Sequence, residues 1–327
     1  MMMKNNVSKC LVALAVGLLL ASSVSAGVKK LPSEERSEAA IQAEYFFWEV
    51  FNNGLYDLIP YVLNALTGAY LADPHDSKTA GYIGAVHSWR LSERMRMDEI
   101  PPTITDDATI ARKYFSEKMR MEPRDAHYLG FLGSLTMSEA DVHGDQELLE
   151  DGYKMLLKAS KMHPEFNHVT TALTITGGVV ESLPPVDSKM FQDALESQWE
   201  TMELCLGADI DRSNPDASPY MDRVTTEGPK KVCWNSAVAP HKFEGFYLNM
   251  GDMLVRNGDW QTAQKIYANA RLSQTYDYWH LAGVLEARIA EAEVNVELFN
   301  MPPGPNGKFV KPMMAQAAYS CTGCHQN

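Results

Sequence analysis

Near its C-terminus the chain places two thiols and an imidazole within five positions. Cys321 and Cys324 stand three residues apart, and His325 follows the second cysteine directly. Residues three apart lie on one face of a helix, so both sulfurs would point the same way. Two such thiols can add across the vinyl groups of a haem, and the imidazole can take an axial position on its iron. The pattern favours covalent haem attachment, with Gly323 leaving room for the porphyrin edge.

Two other uses of a Cys-x-x-Cys pair are open at this point. The pair could supply half of a zinc site, although the other cysteines after the N-terminal region, Cys205 and Cys233, are not closely spaced. It could also be a thioredoxin-like redox pair, which needs a βαβ context that this sequence does not show. Haem attachment is favoured over both because the N-terminus has the pattern of an export signal.

That N-terminal pattern consists of three consecutive parts. Lys4 and Lys9 precede an apolar run from Leu11 to Ala21, and small residues follow up to Ala26. The run is too short to anchor the chain stably in a bilayer. We expect a signal peptide over residues 1–26 and a mature chain, beginning at Gly27, that is periplasmic or secreted and has no membrane span.

The motif resembles that of the c-type cytochromes, and its C-terminal position is similar to that of their four-helix-bundle class. The resemblance covers about a dozen residues. It implies one covalent haem c, bound through Cys321 and Cys324, with His325 as the proximal axial ligand of iron. In that family haem attachment takes place outside the bacterial inner membrane, which agrees with the export signal.

Acidic residues outnumber basic ones by 42 to 29, so the formal net charge is −13. The signal region carries two of the basic residues and no acidic ones, which leaves 27 minus 42, or −15, for the mature chain. A nucleic-acid partner is disfavoured, because phosphate binding needs a basic surface. This charge is compatible with a basic redox partner, but it favours a solvated acidic surface that keeps the protein soluble. A motif two residues from the chain end is compatible with a homo-oligomer, because a terminal haem can reach a neighbouring chain.

Apolar residues recur at helical spacing along most of the chain, which predicts an all-α fold. The first helix is predicted to begin at Glu34 with Ser33 as its N-cap, the second to span Leu58–Leu71 and the third Lys78–Met97. Proline-centred turns recur at residues 74, 123 and 164. Such turns join one hairpin to the next in repeat arrays, and an irregular α-domain is the alternative.

The segment from Gly245 to Ala270 looks like one tetratricopeptide repeat. Asn257-Gly258-Asp259 would turn the chain between its two helices. The resemblance implies small residues where the helices of a hairpin touch, and aromatic residues where neighbouring hairpins pack. We therefore predict a tetratricopeptide-like helical hairpin array followed by a C-terminal haem-bearing helix.

The predicted helices divide the chain into three regions. Residues 1–26 form the signal peptide, residues 27–300 the helical repeat-like domain and residues 301–327 a connector with the haem-attachment segment. Residues 206–240 form a long loop insertion, with Cys205 and Cys233 near its ends. These two cysteines are expected to form a disulfide, since they are the only ones in the mature chain outside the motif.

The last two helices decide where the motif would lie. Tyr278–Phe299 is predicted to be one long helix, and Met313 is predicted to begin the helix that carries the motif. If the connector reverses the chain, the two helices run antiparallel. Twelve residues would then carry His325 roughly 18 Å back along its partner helix.

The motif does not identify the distal ligand of the haem iron, which would bind opposite His325. His280 and Trp279 lie near the point that the antiparallel arrangement reaches. His280 is the first candidate and His241 the second. Met313 and Met314 would lie roughly 16–18 Å from His325 along the same helix, which is too far to reach the iron.

Other motifs with chemical potential are weak. Asp209-x-Asp211-x-Ser213 begins like a calcium loop, but Asn214 replaces the required glycine and Tyr220 stands where the closing glutamate should be. We interpret residues 209–220 as a polar loop. No nucleophile elbow, His-Glu-x-x-His helix or phosphate-binding glycine loop occurs in the sequence.

Three functions follow from these patterns. The first is electron transfer by a periplasmic monohaem cytochrome whose helical repeats dock a partner, as concave repeat surfaces do. The second is a haem enzyme or sensor that acts on a peroxide or nitrogen oxide at an open iron face. The third is a structural haem protein that assembles through an exposed C-terminus. Electron transfer is our leading hypothesis.

Overall fold

The computed structural model describes residues 30–177, 184–223, 225, 227–233 and 243–325. These residues form α-helices and short 3₁₀ turns without a β-strand among them, which confirms the predicted all-α class. Within the described ranges, no helix combines the length and the apolar character needed to cross a membrane. The α-helices are, in chain order, α1 (Glu38–Asn52), α2 (Ile59–Ala72), α3 (Ser77–Ser92), α4 (Asp106–Met121), α5 (Ala126–His143), α6 (Gln146–Met162), α7 (Pro164–Thr176), α8 (Lys189–Leu206), α9 (Phe243–Arg256), α10 (Trp260–Asn269), α11 (Ala282–Ala290), α12 (Ala292–Leu298) and α13 (Thr322–His325).

The first ten helices pair into successive hairpins. α1 packs mainly on α2, α3 on α4, α5 on α6, α7 on α8 and α9 on α10. The proline-centred turns lie between hairpins, as predicted. Gly251 of α9 touches the ring of Tyr267 in α10, and any side chain at this glycine would overlap the ring. The structure thus confirms the predicted array of helical hairpins.

Aspartates that follow the proline turns start two of these helices. The carboxylate of Asp76 accepts a hydrogen bond from the backbone N–H of Thr79 at 3.1 Å, and that of Asp125 accepts one from His127 at 3.1 Å. Each cap satisfies a backbone donor that has no partner within the helix, which stabilises a helix by about 1 kcal/mol.

Two predicted helix ends are wrong. The N-cap of α1 is Ser37, whose hydroxyl accepts from Ala40 at 3.2 Å, whereas the predicted cap Ser33 donates to Asp73 at 2.6 Å. The third helix ends at Ser92 instead of Met97, because the backbone leaves the helical conformation at Glu93 and continues as a 3₁₀ turn.

The predicted single helix over Tyr278–Phe299 is wrong. The helical part begins only at Ala282, and it consists of α11 and α12, which meet at Glu291. The backbone of Trp279 is extended (φ −72°, ψ 119°), and its indole hydrogen-bonds to the C-terminal segment. Glu291 pairs with Lys311 of the connector. The regular helix is therefore interrupted where Trp279 contacts the motif and where Glu291 contacts the connector.

The prediction that a long helix begins at Met313 is also wrong. Only a 3₁₀ turn (Met314–Gln316) and the four-residue α13 are helical in this region. The side chain of Gln316 accepts from the N–H of Met313 at 3.2 Å, and Asp252 of α9 accepts from that of Met314 at 2.7 Å. The backbone then becomes extended at Ala317 (φ −76°, ψ 162°), so the 3₁₀ turn does not continue into the motif.

Two large hydrophobic clusters meet at the C-terminal segment, which we define as residues 312–325. The N-terminal cluster comes from α1, α2 and α3 and includes Phe51 and Trp89. The C-terminal cluster comes from α5 to α12 and includes Met314 and Cys324. Cys321 packs against the N-terminal cluster. The segment that carries the motif therefore contacts both clusters.

Candidate functional site

The motif forms a single helical turn. The N–H groups of Cys324 and His325 both donate to the carbonyl oxygen of Cys321, at 3.1 Å each. Gly323 donates to the carbonyl of Tyr319 at 2.6 Å. The two cysteines and the histidine are therefore fixed on one turn, as the sequence predicts, although the long helix expected to carry them is not there.

The end of α3 holds this turn from one side. The carboxylate of Glu93 accepts a hydrogen bond from the N–H of Thr322 at 2.8 Å, and the hydroxyl of Ser320 donates to the carbonyl of Ser92 at 3.1 Å. Arg96 donates to the carbonyl of Ala318 at 3.2 Å. Glu93 is 0% exposed, and burial raises the pKa of its carboxyl group.

Residues of the C-terminal cluster hold the turn from the other side. The indole of Trp279 donates to the carbonyl of Gly323 at 3.1 Å. The sulfur of Cys324 lies directly against the backbone of Gly245 in α9, where any side chain would overlap it. Thr322 and Cys324 are 1% and 5% exposed, so the middle of the motif turn is buried.

Gly323 has neighbours that the sequence did not suggest. A Cβ atom at this position would lie 3.0 Å from the terminal methyl of Met314 and 3.2 Å from Leu281. These two side chains occupy the space that we expected to face the porphyrin edge. The expected separation between Met314 and the motif is also wrong, because the chain folds back between them instead of continuing as a helix.

The imidazole of His325 lies in an aromatic setting. Its ring centroid is 4.7 Å from that of Phe51 in α1. Burial lowers the pKa of His325 to about 4, because the charged form loses its hydration. The ring is therefore neutral near pH 7, and one of its nitrogens keeps the lone pair that a metal ligand needs.

The two motif cysteines are not joined in a disulfide. Burial, and secondarily the carboxylate of Glu93, raises the pKa of Cys321 far above its ordinary value. A reactive redox cysteine needs a lowered pKa and an electropositive setting. This environment disfavours the thioredoxin-like alternative.

Comparison of the chain with family models, curated proteins and solved structures finds no match. The motif turn supplies the residue types that hold a c-type haem, although Met314 and Leu281 fill the space beside Gly323. Both thiols and a neutral imidazole stand on one turn, and aromatic and aliphatic side chains surround them. Cys321 and Cys324 would hold the porphyrin and His325 would ligate its iron, which supplies one-electron redox chemistry.

Of the two candidates for the distal ligand, the structure describes only His280. His280 is exposed and follows Trp279, whose indole touches the motif. The two antiparallel helices from which we inferred the position of His280 are absent from the described residues. Its assignment as the distal ligand therefore stays a prediction, and the geometric argument for it is lost. His241 lies outside the described residues.

A disulfide closes the loop insertion, as predicted. Cys205 and Cys233 are joined by a disulfide, with their Cα atoms 5.7 Å apart. In the polar loop, Asp211 accepts hydrogen bonds from the backbone and hydroxyl of Ser213, at 3.0 and 2.6 Å. Among the described residues, no group of three or more His, Cys, Asp or Glu side chains could hold a metal ion.

Sequence reasoning missed most of the residues that position the motif. Phe51 and Glu93 lie 270 and 228 residues before Cys321, and no local pattern links them to the motif. Trp279 was expected near His325, but on the basis of a pair of long helices that the structure does not contain among its described residues. Gly245 was recognised as a small residue of a hairpin, but not as the contact of Cys324. A packing signal was therefore visible for Gly245, and none was visible for Phe51 and Glu93.

Proposed function

We propose that this chain is an exported monohaem c-type cytochrome that transfers electrons. Cys321 and Cys324 bind the haem covalently, and His325 is its proximal ligand. The observation that carries the proposal is the motif turn itself, held between two hydrophobic clusters by hydrogen bonds from α3 and from Trp279.

A buried setting suits an electron carrier. Haem enzymes and sensors need an iron face that a small molecule can reach, whereas a carrier works best when its iron is covered and six-coordinate. The low exposure of the segment around the motif favours a covered iron. His280 is our first candidate for the distal position and His241 the second, as inferred from the sequence.

The decisive experiment is expression in a periplasm that matures c-type cytochromes. We expect the intact mass to include one haem, and the reduced protein to show a c-type absorption spectrum. Replacing Cys321 and Cys324 together by serine should abolish both signals. The matched control is the Cys205→Ser and Cys233→Ser double variant, which also removes two cysteines and should keep the haem. A wild-type mass without haem, while another c-type cytochrome matures in the same cells, would refute the proposal.

Carbon monoxide distinguishes the carrier from an enzyme or sensor. A covered, six-coordinate ferrous haem binds carbon monoxide slowly or incompletely, because its distal ligand must leave first. We expect this of the wild-type protein, and fast binding in His280→Ala if His280 is the distal ligand. Fast and complete binding by the wild type would favour the enzyme or sensor function instead.

A further inference from the structure

A chain of aromatic rings leads from the motif to the protein surface. The ring of Phe51 stands 4.7 Å from that of His325, and Trp48 stands 6.1 Å from Phe51. Phe51 is 8% exposed and Trp48 is 37% exposed. Both belong to α1, so only one helix separates the proposed iron ligand from solvent at this point.

The indole of Trp48 has a fixed orientation. Its N–H donates to the hydroxyl of Tyr82 at 3.3 Å, and that hydroxyl donates to Glu44 at 2.5 Å. Glu44 is itself paired with Arg36. An indole that is held in place and still partly exposed offers a partner protein a preformed contact, with little ordering cost on binding.

The surroundings of Trp48 are apolar at the centre and acidic at the margin. Tyr45 is 67% exposed and shares one face of α1 with Trp48 and Glu49. We call Tyr45, Trp48 and Glu49 the Trp48 surface. The nearby basic group of Arg36 is engaged by Asp76 and Glu44. Further exposed carboxylates lie before α1 at Glu34 and Glu35, in its first turn at Glu38, and after it at Asp57.

We propose that the Trp48 surface is the docking site of a basic electron-transfer protein, and that Trp48 and Phe51 connect this partner to the haem. The inference rests on the proposed function. An acidic margin around exposed aromatic residues complements a partner whose contact face carries lysines and arginines. One electron passes between the partner's redox centre and the haem, so that one is oxidised as the other is reduced. No bond forms or breaks.

The test measures electron exchange with mitochondrial cytochrome c, used as a basic probe protein. Haem content is established first by mass and absorbance, so a failure of the proposed function appears before any kinetics and overturns both proposals. Stopped-flow absorbance then gives the bimolecular rate constant, in the direction that the measured midpoint potentials favour. Oxidation or reduction by ferricyanide or dithionite serves as the control that does not need protein docking.

Charge reversal at matched positions separates local docking from overall charge. We expect Glu49→Lys to lower the rate constant about tenfold at low ionic strength, and high salt to remove most of the difference. Glu293→Lys, at an exposed position of α12, changes the net charge equally and should have a much smaller effect. Equal losses in both variants, or a wild-type rate without salt dependence, would overturn the proposal.

Aromatic truncation tests the apolar centre of the surface. We expect Tyr45→Ala to lower the rate constant about five- to tenfold, because exposed aromatic residues dominate binding at such centres. Tyr278→Ala removes a tyrosine that is 85% exposed elsewhere and should leave the rate unchanged. Trp48→Leu should lower the rate with cytochrome c but not with the small reagents. Wild-type rates in both Tyr45→Ala and Trp48→Leu would exclude this surface.

Discussion

The hairpins of α1 to α10 and the C-terminal segment are built on different principles. The hairpins follow local rules, with aspartate caps after proline turns and glycine where two helices touch. The C-terminal segment has hardly any regular structure, and its backbone groups bond to Glu93, Asp252 and Trp279. A hairpin is therefore specified by nearby residues, whereas the geometry of the motif depends on residues far away in the sequence.

The largest effect is expected from breaking the buried network that holds the start of the C-terminal segment. Asp252 accepts hydrogen bonds from the hydroxyl of Tyr267 at 2.6 Å and the N–H of Met314 at 2.7 Å, and lies 3.2 Å from Arg288. Asp252→Ala leaves the arginine buried without its partner, which should cost about 3–5 kcal/mol in the free energy of unfolding. Urea unfolding measures the loss.

A surface pair provides the matched control for that prediction. Glu286 pairs with Arg271, and both side chains are nearly half exposed, at 46% and 47%. Glu286→Ala removes a carboxylate from an ion pair in the same way, but solvent screens the interaction. The expected loss is below about 1 kcal/mol. Similar losses in the two variants would show that the Asp252 network does not stabilise the C-terminal segment.

The disulfide joins Cys205 of α8 to Cys233 in the long chain between the fourth and fifth hairpins. Removing it in a Cys205→Ala, Cys233→Ala variant should cost roughly 3–4 kcal/mol, since the unfolded chain regains the entropy of a closed loop of this length. The cysteines are separated by 28 residues. In the wild-type protein, these two thiols should resist alkylation in denaturant until a reductant is added. Their free alkylation would contradict the disulfide.

The same contrast explains which features could be predicted from the sequence. Helix periodicity and proline turns predicted the hairpins, and the residue types of the motif predicted its single turn. The helix from Met313 was predicted wrongly, because the backbone is extended again at Ala317 and the segment bonds to distant side chains such as Asp252, which lies 62 positions from Met314. Met314 was excluded from the site for the same reason, since a straight helix would have kept it distant.

A smaller and local effect is expected at Glu93. Glu93→Ala removes the acceptor of the Thr322 N–H and leaves this donor buried without a partner, at a cost of about 1–3 kcal/mol. Hydrogen exchange should accelerate at Thr322 while the amides of α5 and α6 keep their protection. Glu93→Gln retains an acceptor oxygen and should restore much of the protection. Equal acceleration in all helices would mean that Glu93 supports the whole fold and not the motif turn.

The smallest effect is expected at the start of α1 in the first hairpin. The predicted N-cap of this helix is Ser33, and the observed N-cap is Ser37. Ser37→Ala removes the cap on the N–H of Ala40 and should destabilise the protein by about 1 kcal/mol, whereas Ser37→Asp should retain the cap. Ser33→Ala removes a hydrogen bond to Asp73 but should leave the exchange rate of the Ala40 amide unchanged. Faster exchange at Ala40 in Ser33→Ala, and not in Ser37→Ala, would restore the predicted cap. It would also mean that the sequence rule for helix caps describes the start of α1 better than the structure does.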